Sequence, residues 1–349
     1  MNIQETSLFQ EIHQQPDVVS NLIANGLEPI RGLAECIRQE NIHQIVIAAR
    51  GTSDNAGRYA QYLLGMENQV LVSLTTPSLF SIYHRPPNLK GTLVMGISQS
   101  GKSPDLVSVL EEAHRQSVPT AAITNFPDSD LAGAADHVIP LLAGLEKSLA
   151  ATKTYTAELT VLAALSAILS QDKNRLGELS QVPQAISAVL QRCDEIERIA
   201  ERYRYMERCV AIGRGLNYAT AFELSLKLKE LTYTTAEPYS SADFLHGPMA
   251  VIERGFPVIV VAPTSLILPE LKDFIRQLNE RSAEVVAISD DPAVIELSSI
   301  ALPLPQRLPE HISPIAAIVP AQVFAMYLAH TRGIDVDHPR GLHKVTETL

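Results

Sequence analysis

The feature that most constrains this chain is an internal repeat. The run AARG at 48–51 returns as AIGRG at 211–215, and AAITNFPDSDL at 121–131 returns as VAISDDPAVIEL at 286–297. Gly51 and Gly215 lie 164 positions apart, and Ile123 and Ile288 lie 165 apart. A near-constant offset over two anchors argues for duplication of one folding unit rather than chance. With 349 residues, the chain has room for two domains of ordinary size.

Each copy reads as strands alternating with helices. In the first, Ile45–Ala49, Thr92–Ile97, Thr120–Thr124 and Val138–Leu141 are short apolar runs. In the second, the matching runs are Val210–Gly213, Val258–Ala262, Glu284–Ser289 and Ile300–Leu304. Unbroken apolar runs fit strands buried on both faces, and the intervening helical patterns fit crossovers, so each copy is expected to be a parallel sheet flanked by helices. The predicted class is α/β, flavodoxin- or Rossmann-like. The expected organisation is a helical lead-in over 1–42, a first domain over 43–170, a helical linker over 171–204, a second domain over 205–334 and a tail over 335–349. The polar stretch 233–248 reads as non-helical.

Composition excludes some classes. A hydrophobic share of 46% against 19% charged supports packed cores rather than disorder. A formal net charge of -11 argues against a general nucleic-acid binder, although local donors can still hold a small anion. Cys36, Cys193 and Cys209 form neither a C-x-x-C pair nor a metal pattern, and read as reduced structural thiols. The start, Met-Asn-Ile-Gln-Glu-Thr, lacks the basic and apolar regions of a signal peptide, so a cytoplasmic location is expected. Thr160–Leu169 is too short to span a bilayer, and Ile315–Ala329 is interrupted by Pro320 and Gln322; both read as buried helices.

In open α/β sheets ligands bind beyond the carboxyl ends of the strands. Ser98-Gln99-Ser100-Gly101-Lys102-Ser103 stands at such an end and precedes a helix opening near Pro104. Free N–H groups at a helix start, serine hydroxyls and a glycine make an anion cradle. Thr52 and Ser53, on the loop after the first strand, can complete it. Ordinary helix caps are the simpler reading of either loop alone. The run Gly96–Ser103 (GISQSGKS) matches the phosphate-loop spacing G-x-x-x-x-G-K-[ST], whereas G-x-G-x-x-G does not occur, which removes support for a dinucleotide site.

Glu223, Lys227 and Glu230 recur at helical spacing over a predicted helix Ala219–Leu231. By spacing alone they form either a solvated ion-pair stripe or one face of a site. His246, beside Gly247 and Pro248, is poorly explained as core filling. A histidine and a carboxylate are tools for ring opening and enolisation of a sugar.

With these residues in view, the chain resembles the SIS (sugar isomerase) family. Within it, the likeness is to the isomerase half of glucosamine-fructose-6-phosphate aminotransferases and to stand-alone glucosamine-6-phosphate deaminases. It rests on EIHQQP at 11–16, ARGTSDNAG at 49–57, GISQSGKSPDL at 96–106, EKSLAATKTYT at 146–156, the stretch 223–250 and DVDHPRGLHKVTETL at 335–349. The resemblance implies two SIS domains and an ordered tail that closes the site. It implies phosphate held by Ser98, Gln99, Ser100 and Ser103 with Thr52 and Ser53 nearby. Glu230 would move a proton between C1 and C2, with Lys227 stabilising charge. His246 would assist ring opening, commonly from the partner of a homodimer, and Lys344 would contact the open-chain sugar or form an imine with it. Ala151 stands where the aminotransferases usually carry Ser, and Arg50 where a small residue or Cys is common.

Those departures look more like deaminases, and the chain shows no glutaminase domain. The resemblance therefore implies conversion of glucosamine 6-phosphate and water to fructose 6-phosphate and ammonia, without metal or cofactor, on a small-molecule substrate and with no nucleic-acid or membrane partner. The alternatives are a fructosamine-6-phosphate deglycase, another ketose/aldose phosphosugar isomerase, or a non-catalytic sugar-phosphate sensor.

Overall fold

The computed structural model describes residues 2–341. The chain forms two compact units. One holds residues 17–146 and 153–180; the other holds 2–16, 147–152 and 181–341. Each is built on one five-stranded sheet.

The first sheet comprises β1 (Gln44–Ala48), β2 (Leu71–Leu74), β3 (Leu93–Ser98), β4 (Thr120–Thr124) and β5 (His137–Pro140), in spatial order β2-β1-β3-β4-β5. The second comprises β6 (Arg208–Gly213), β7 (Thr235–Ser240), β8 (Pro257–Val261), β9 (Glu284–Ser289) and β10 (Ile300–Pro303), in order β10-β9-β8-β6-β7. Reversed, that is the same order. All pairings are parallel. Register reproduces the sequence offset: Ala48 lies opposite Gly96, and Ile212 (48 plus 164) lies opposite Val260 (96 plus 164).

Both faces of each sheet are covered, as near-continuous apolar strands require. On one face of the first, Val46, Ala48, Val94 and Ala122 pack with Leu106, Val109, Leu110 and Ala113 of the helix Pro104–Arg115. The alternate positions Ile45, Ile47, Met95, Ile97 and Ile123 are equally buried. In the second, Val258, Val260, Val285 and Ala287 pack with Leu271, Phe274, Ile275 and Leu278 of the helix Leu268–Glu280. A second helix, Ser313–Thr331, is buried along almost its whole length in spite of Pro320. It is long and apolar enough to cross a membrane, but every residue in its apolar window is buried inside the fold. Gln322 is satisfied there by Gln15 at 2.9 Å and by the Thr152 carbonyl at 3.4 Å.

Two strands escape the sequence reading, β2 and β7. Both are edge strands whose outer side is solvated, so neither is an unbroken apolar run. The stretch 233–248, read as non-helical, holds β7 and the short helix Ser241–Leu245. Pro238 disguised β7; an edge strand tolerates it because one side carries no ladder bonds. Burial pushes the thiols of Cys193 and Cys209 up to about 11 and about 12, so both stay protonated at neutral pH.

Candidate active site

In a sheet of order 2-1-3-4-5 the chain leaves neighbouring strands in opposite directions between β1 and β3, opening a crevice at their carboxyl ends. The loop after β3 lies at that crevice. Its turn is forced by Gly101, with φ at +63°. A Cβ there would meet Ser129 Oγ at 2.0 Å, so the position is closed to any side chain. The Gly101 N–H donates to Ser98 Oγ at 3.1 Å, which folds the turn back on the end of β3.

What the turn leaves open matters more. Among the described residues, the N–H groups of Gln99, Ser100 and Ser103 have no acceptor. Ser103 occupies the N-cap of the helix Pro104–Arg115, but its side chain makes no cap bond. Ser129, by contrast, caps its own helix by accepting from the Ala132 N–H. The helix-cap reading thus fails for Ser103. Unsatisfied N–H groups and uncommitted hydroxyls at a helix start attract an anion.

The loop after β1 is tied to this turn. Arg50 Nε and Nη2 both reach Asp105 Oδ2, at 2.9 and 2.8 Å, and Asp105 is wholly buried in the first turn of Pro104–Arg115. Arg50, seen from sequence only as a departure, is therefore the clamp between the two loops. Ser53 is buried and donates its hydroxyl hydrogen to Glu158 Oε1 at 2.7 Å. Its hydrogen is committed inside the fold. Thr52 is half-buried beside it. The sequence reading missed Asp105 and Glu158, since a lone carboxylate in a helical pattern carries no signal until its partner is known.

In the second unit the helix Tyr218–Thr232 carries the predicted carboxylates. Lys227 and Glu223 have no exposed side-chain area, and Glu230 keeps 20%. Lys227 Nζ lies 2.6 Å from Glu230 Oε2 and 3.3 Å from Glu223 Oε1. The solvated-stripe reading is overturned by this burial. Burial alone would push the Lys227 ammonium down, but the two carboxylates outweigh it and hold it above its ordinary range. A buried cation between two anions, with one anion reaching solvent, is a costly arrangement typical of functional sites.

His246 follows the helix Ser241–Leu245 as an exposed residue beside Gly247, whose φ is +136°. Its ring has no hydrogen bond among the described residues. The tail is anchored as far as it is described. Asp337 accepts from the N–H groups of Ser7 and Leu8, at 2.8 and 3.0 Å, and Val336 is buried. The Arg340 guanidinium lies 4.1 Å from the centre of the Tyr233 ring, and the backbone N–H of Arg340 donates to the Tyr233 hydroxyl at 2.7 Å. Lys344 lies outside the described residues. Ala151 sits in the segment 147–152, whose backbone is held by Glu11 of the EIHQQP motif. The Glu11 carboxylate accepts from Lys147 and Ser148.

Comparison with known proteins agrees with this architecture. The SIS domain family matches residues 37–168 and 204–332. Glutamine–fructose-6-phosphate aminotransferase [isomerizing] from Zymomonas mobilis is 33% identical over 96% of this chain, and that from Gloeobacter violaceus is 34% identical over 97%. In both cases the chain spans 58% of the relative's length. Among solved structures, the C-terminal domain of glucosamine-fructose-6-phosphate aminotransferase from Francisella tularensis superposes with a TM-score of 0.86 at 30% identity, covering 96% of this chain and 98% of that one. Duplicated 2-1-3-4-5 sheets, a serine-lined turn at the first crevice and the matched sequence together place the chain in the SIS domain family, as a tandem pair of SIS domains homologous to the aminotransferases' isomerising part.

Proposed function

We propose that the protein is a phosphosugar isomerase acting on an amino-sugar phosphate, and that it converts glucosamine 6-phosphate and water to fructose 6-phosphate and ammonia. The turn Ser98–Ser103 takes the phosphate on the N–H groups of Gln99, Ser100 and Ser103 and on its hydroxyls. Thr52 borders it, and Ser53 supports it through Glu158. His246, supplied by the partner in a homodimer, assists ring opening. Glu230 removes the C2 proton of the open-chain aldehyde and returns a proton to C1. The C2 imine so formed adds water and releases ammonia. Lys227 holds Glu230 in place and balances its charge. Lys344 is assigned the carbonyl end of the open sugar on family likeness, and Ala151 borders the sugar without a hydroxyl to offer it.

The observation that carries the reaction type is Glu230 itself, a carboxylate that keeps solvent access while fixed at 2.6 Å by a wholly buried lysine. A proton shuttle needs that combination of access and fixed geometry. Two measurements test the reading. Ammonia and fructose 6-phosphate should appear in equal amounts from glucosamine 6-phosphate. In deuterated water, Glu230→Gln should lose exchange at C2 while still binding fructose 6-phosphate. Interconversion of fructose and glucose 6-phosphates without ammonia would replace deamination by plain ketose/aldose isomerisation. Turnover restricted to a glycated-amine phosphate would point to a deglycase.

A further inference from the structure

Sheet register equates the crevice loops of the two halves residue by residue. Ile97 lies opposite Ile123, and Val261 opposite Ile288. Continuing along each strand matches Ser98 with Ala262, Ser100 with Thr264, and Asn125 with Asp290. In the second half the donors of Thr264 and Leu266 are already taken. The Thr264 N–H and hydroxyl donate to the two oxygens of Asp290, each at 2.7 Å, and the Leu266 N–H donates to Glu310 at 2.8 Å. The flanking Arg214 is paired with Glu270.

The first half has the same backbone plan with one decisive exchange. Where the second half has a carboxylate, it has the neutral amide of Asn125. The Asn125 N–H donates to the Gln99 carbonyl at 3.2 Å, so this residue issues from the strand end that abuts the turn. Its side chain is engaged elsewhere: Oδ1 accepts from the Ala143 N–H at 3.1 Å, and Nδ2 donates to the Gly144 carbonyl at 2.6 Å. Among the described residues, the Ser100 N–H, counterpart of the Thr264 N–H, has no acceptor.

We propose that Asn125 is a specificity-determining residue that reserves the first-half cradle for an external phosphate, and that the Asp290 carboxylate occupies the matching donors of the second half. This rests on the phosphate role proposed above for the Ser98–Ser103 turn. An aspartate at 125 matches asparagine in size, but it cannot donate to Gly144. It would turn instead to the donors of Ser100, as Asp290 does to Thr264, and would oppose a dianion by charge as well as by occupancy.

The test is calorimetric titration of the full chain with fructose 6-phosphate and with inorganic phosphate at neutral pH. Wild type should bind one equivalent per chain. Asn125→Asp and Asn125→Ala both lose the Gly144 bond, but only the first adds charge, so Asn125→Asp should bind at least about tenfold more weakly than Asn125→Ala. Asp290→Asn combined with Glu310→Gln should admit a second equivalent of inorganic phosphate. Equal affinities for the two Asn125 variants, or two equivalents in wild type, would overturn the proposal. Should Asn125→Asp not fold, the double variant decides, and its staying at one equivalent would overturn the proposal too. Wild type that binds neither ligand would instead sink the phosphate reading beneath it, a result distinct from intact binding that ignores the charge at 125.

Discussion

Replacing Lys227 by methionine removes a cation from between two carboxylates while nearly preserving side-chain volume. Glu223 and Lys227 are wholly buried, so water cannot take over the partnership that Glu223 loses, whereas Glu230 keeps 20% of its side chain exposed. Removing one partner of a buried ion pair costs about 3–5 kcal/mol, because the remaining charge stays desolvated. The upper part of that range applies here, since Glu223 retains no exposed area while Glu230 can turn toward solvent. At roughly 2–4 °C per kcal/mol for a domain of this size, about 4 kcal/mol lowers the melting temperature by about 8–16 °C. The sign of the pH dependence follows. In the variant, buried Glu223 loses the Lys227 cation that faces it, so its folded pKa rises toward or above the unfolded value of about 4.3. Such a group is least destabilising in acid, and its penalty grows as pH rises through the folded pKa. In wild type the raised Lys227 pKa contributes stability throughout the neutral range, and that contribution is lost only in strong alkali. Calorimetric melting of both proteins between pH 5 and 8 should therefore show a gap that widens with pH, and Glu223→Gln added to Lys227→Met should narrow it. A variant melting like wild type at every pH would refute the claim that Glu223 and Lys227 form a buried, mutually dependent pair.

Other outcomes follow from single features. Gly101→Ala puts a side chain at positive φ and displaces Ser129, for about 2–4 kcal/mol of destabilisation, together with loss of fructose 6-phosphate binding by titration. Asp337→Ala frees the N–H groups of Ser7 and Leu8 at about 1 kcal/mol, and amide exchange should rise at both and at Val336, with little change in the sheets. If His246 serves the partner's site, mixing inactive Glu230→Gln and His246→Ala chains should restore part of the activity through hybrid dimers; no recovery on mixing would confine each site to one chain.

The amino-acid sequence by itself determined the duplication, the parallel sheets and most of their strands. These rest on local and periodic signals: apolar runs long enough for buried strands, and small polar turns at fixed spacing. It also marked Ser98–Ser103 as a candidate anion cradle, because glycine and serine after a strand report on local backbone. The edge strands β2 and β7 were not legible, since half-solvated strands lose the continuous apolar signature and Pro238 reads as a breaker. Only the tertiary structure decided whether Glu223, Lys227 and Glu230 were a solvated stripe or a buried group, because helical spacing fixes which residues share a face but not what covers it. Only the tertiary structure, likewise, showed Arg50 clamping Asp105, Ser53 committed to Glu158, and the donors of one crevice filled by Asp290 while those of its twin stand open. Each of these joins residues far apart in the chain, and a long-range pairing leaves no trace in one sequence until the fold has set its partners side by side.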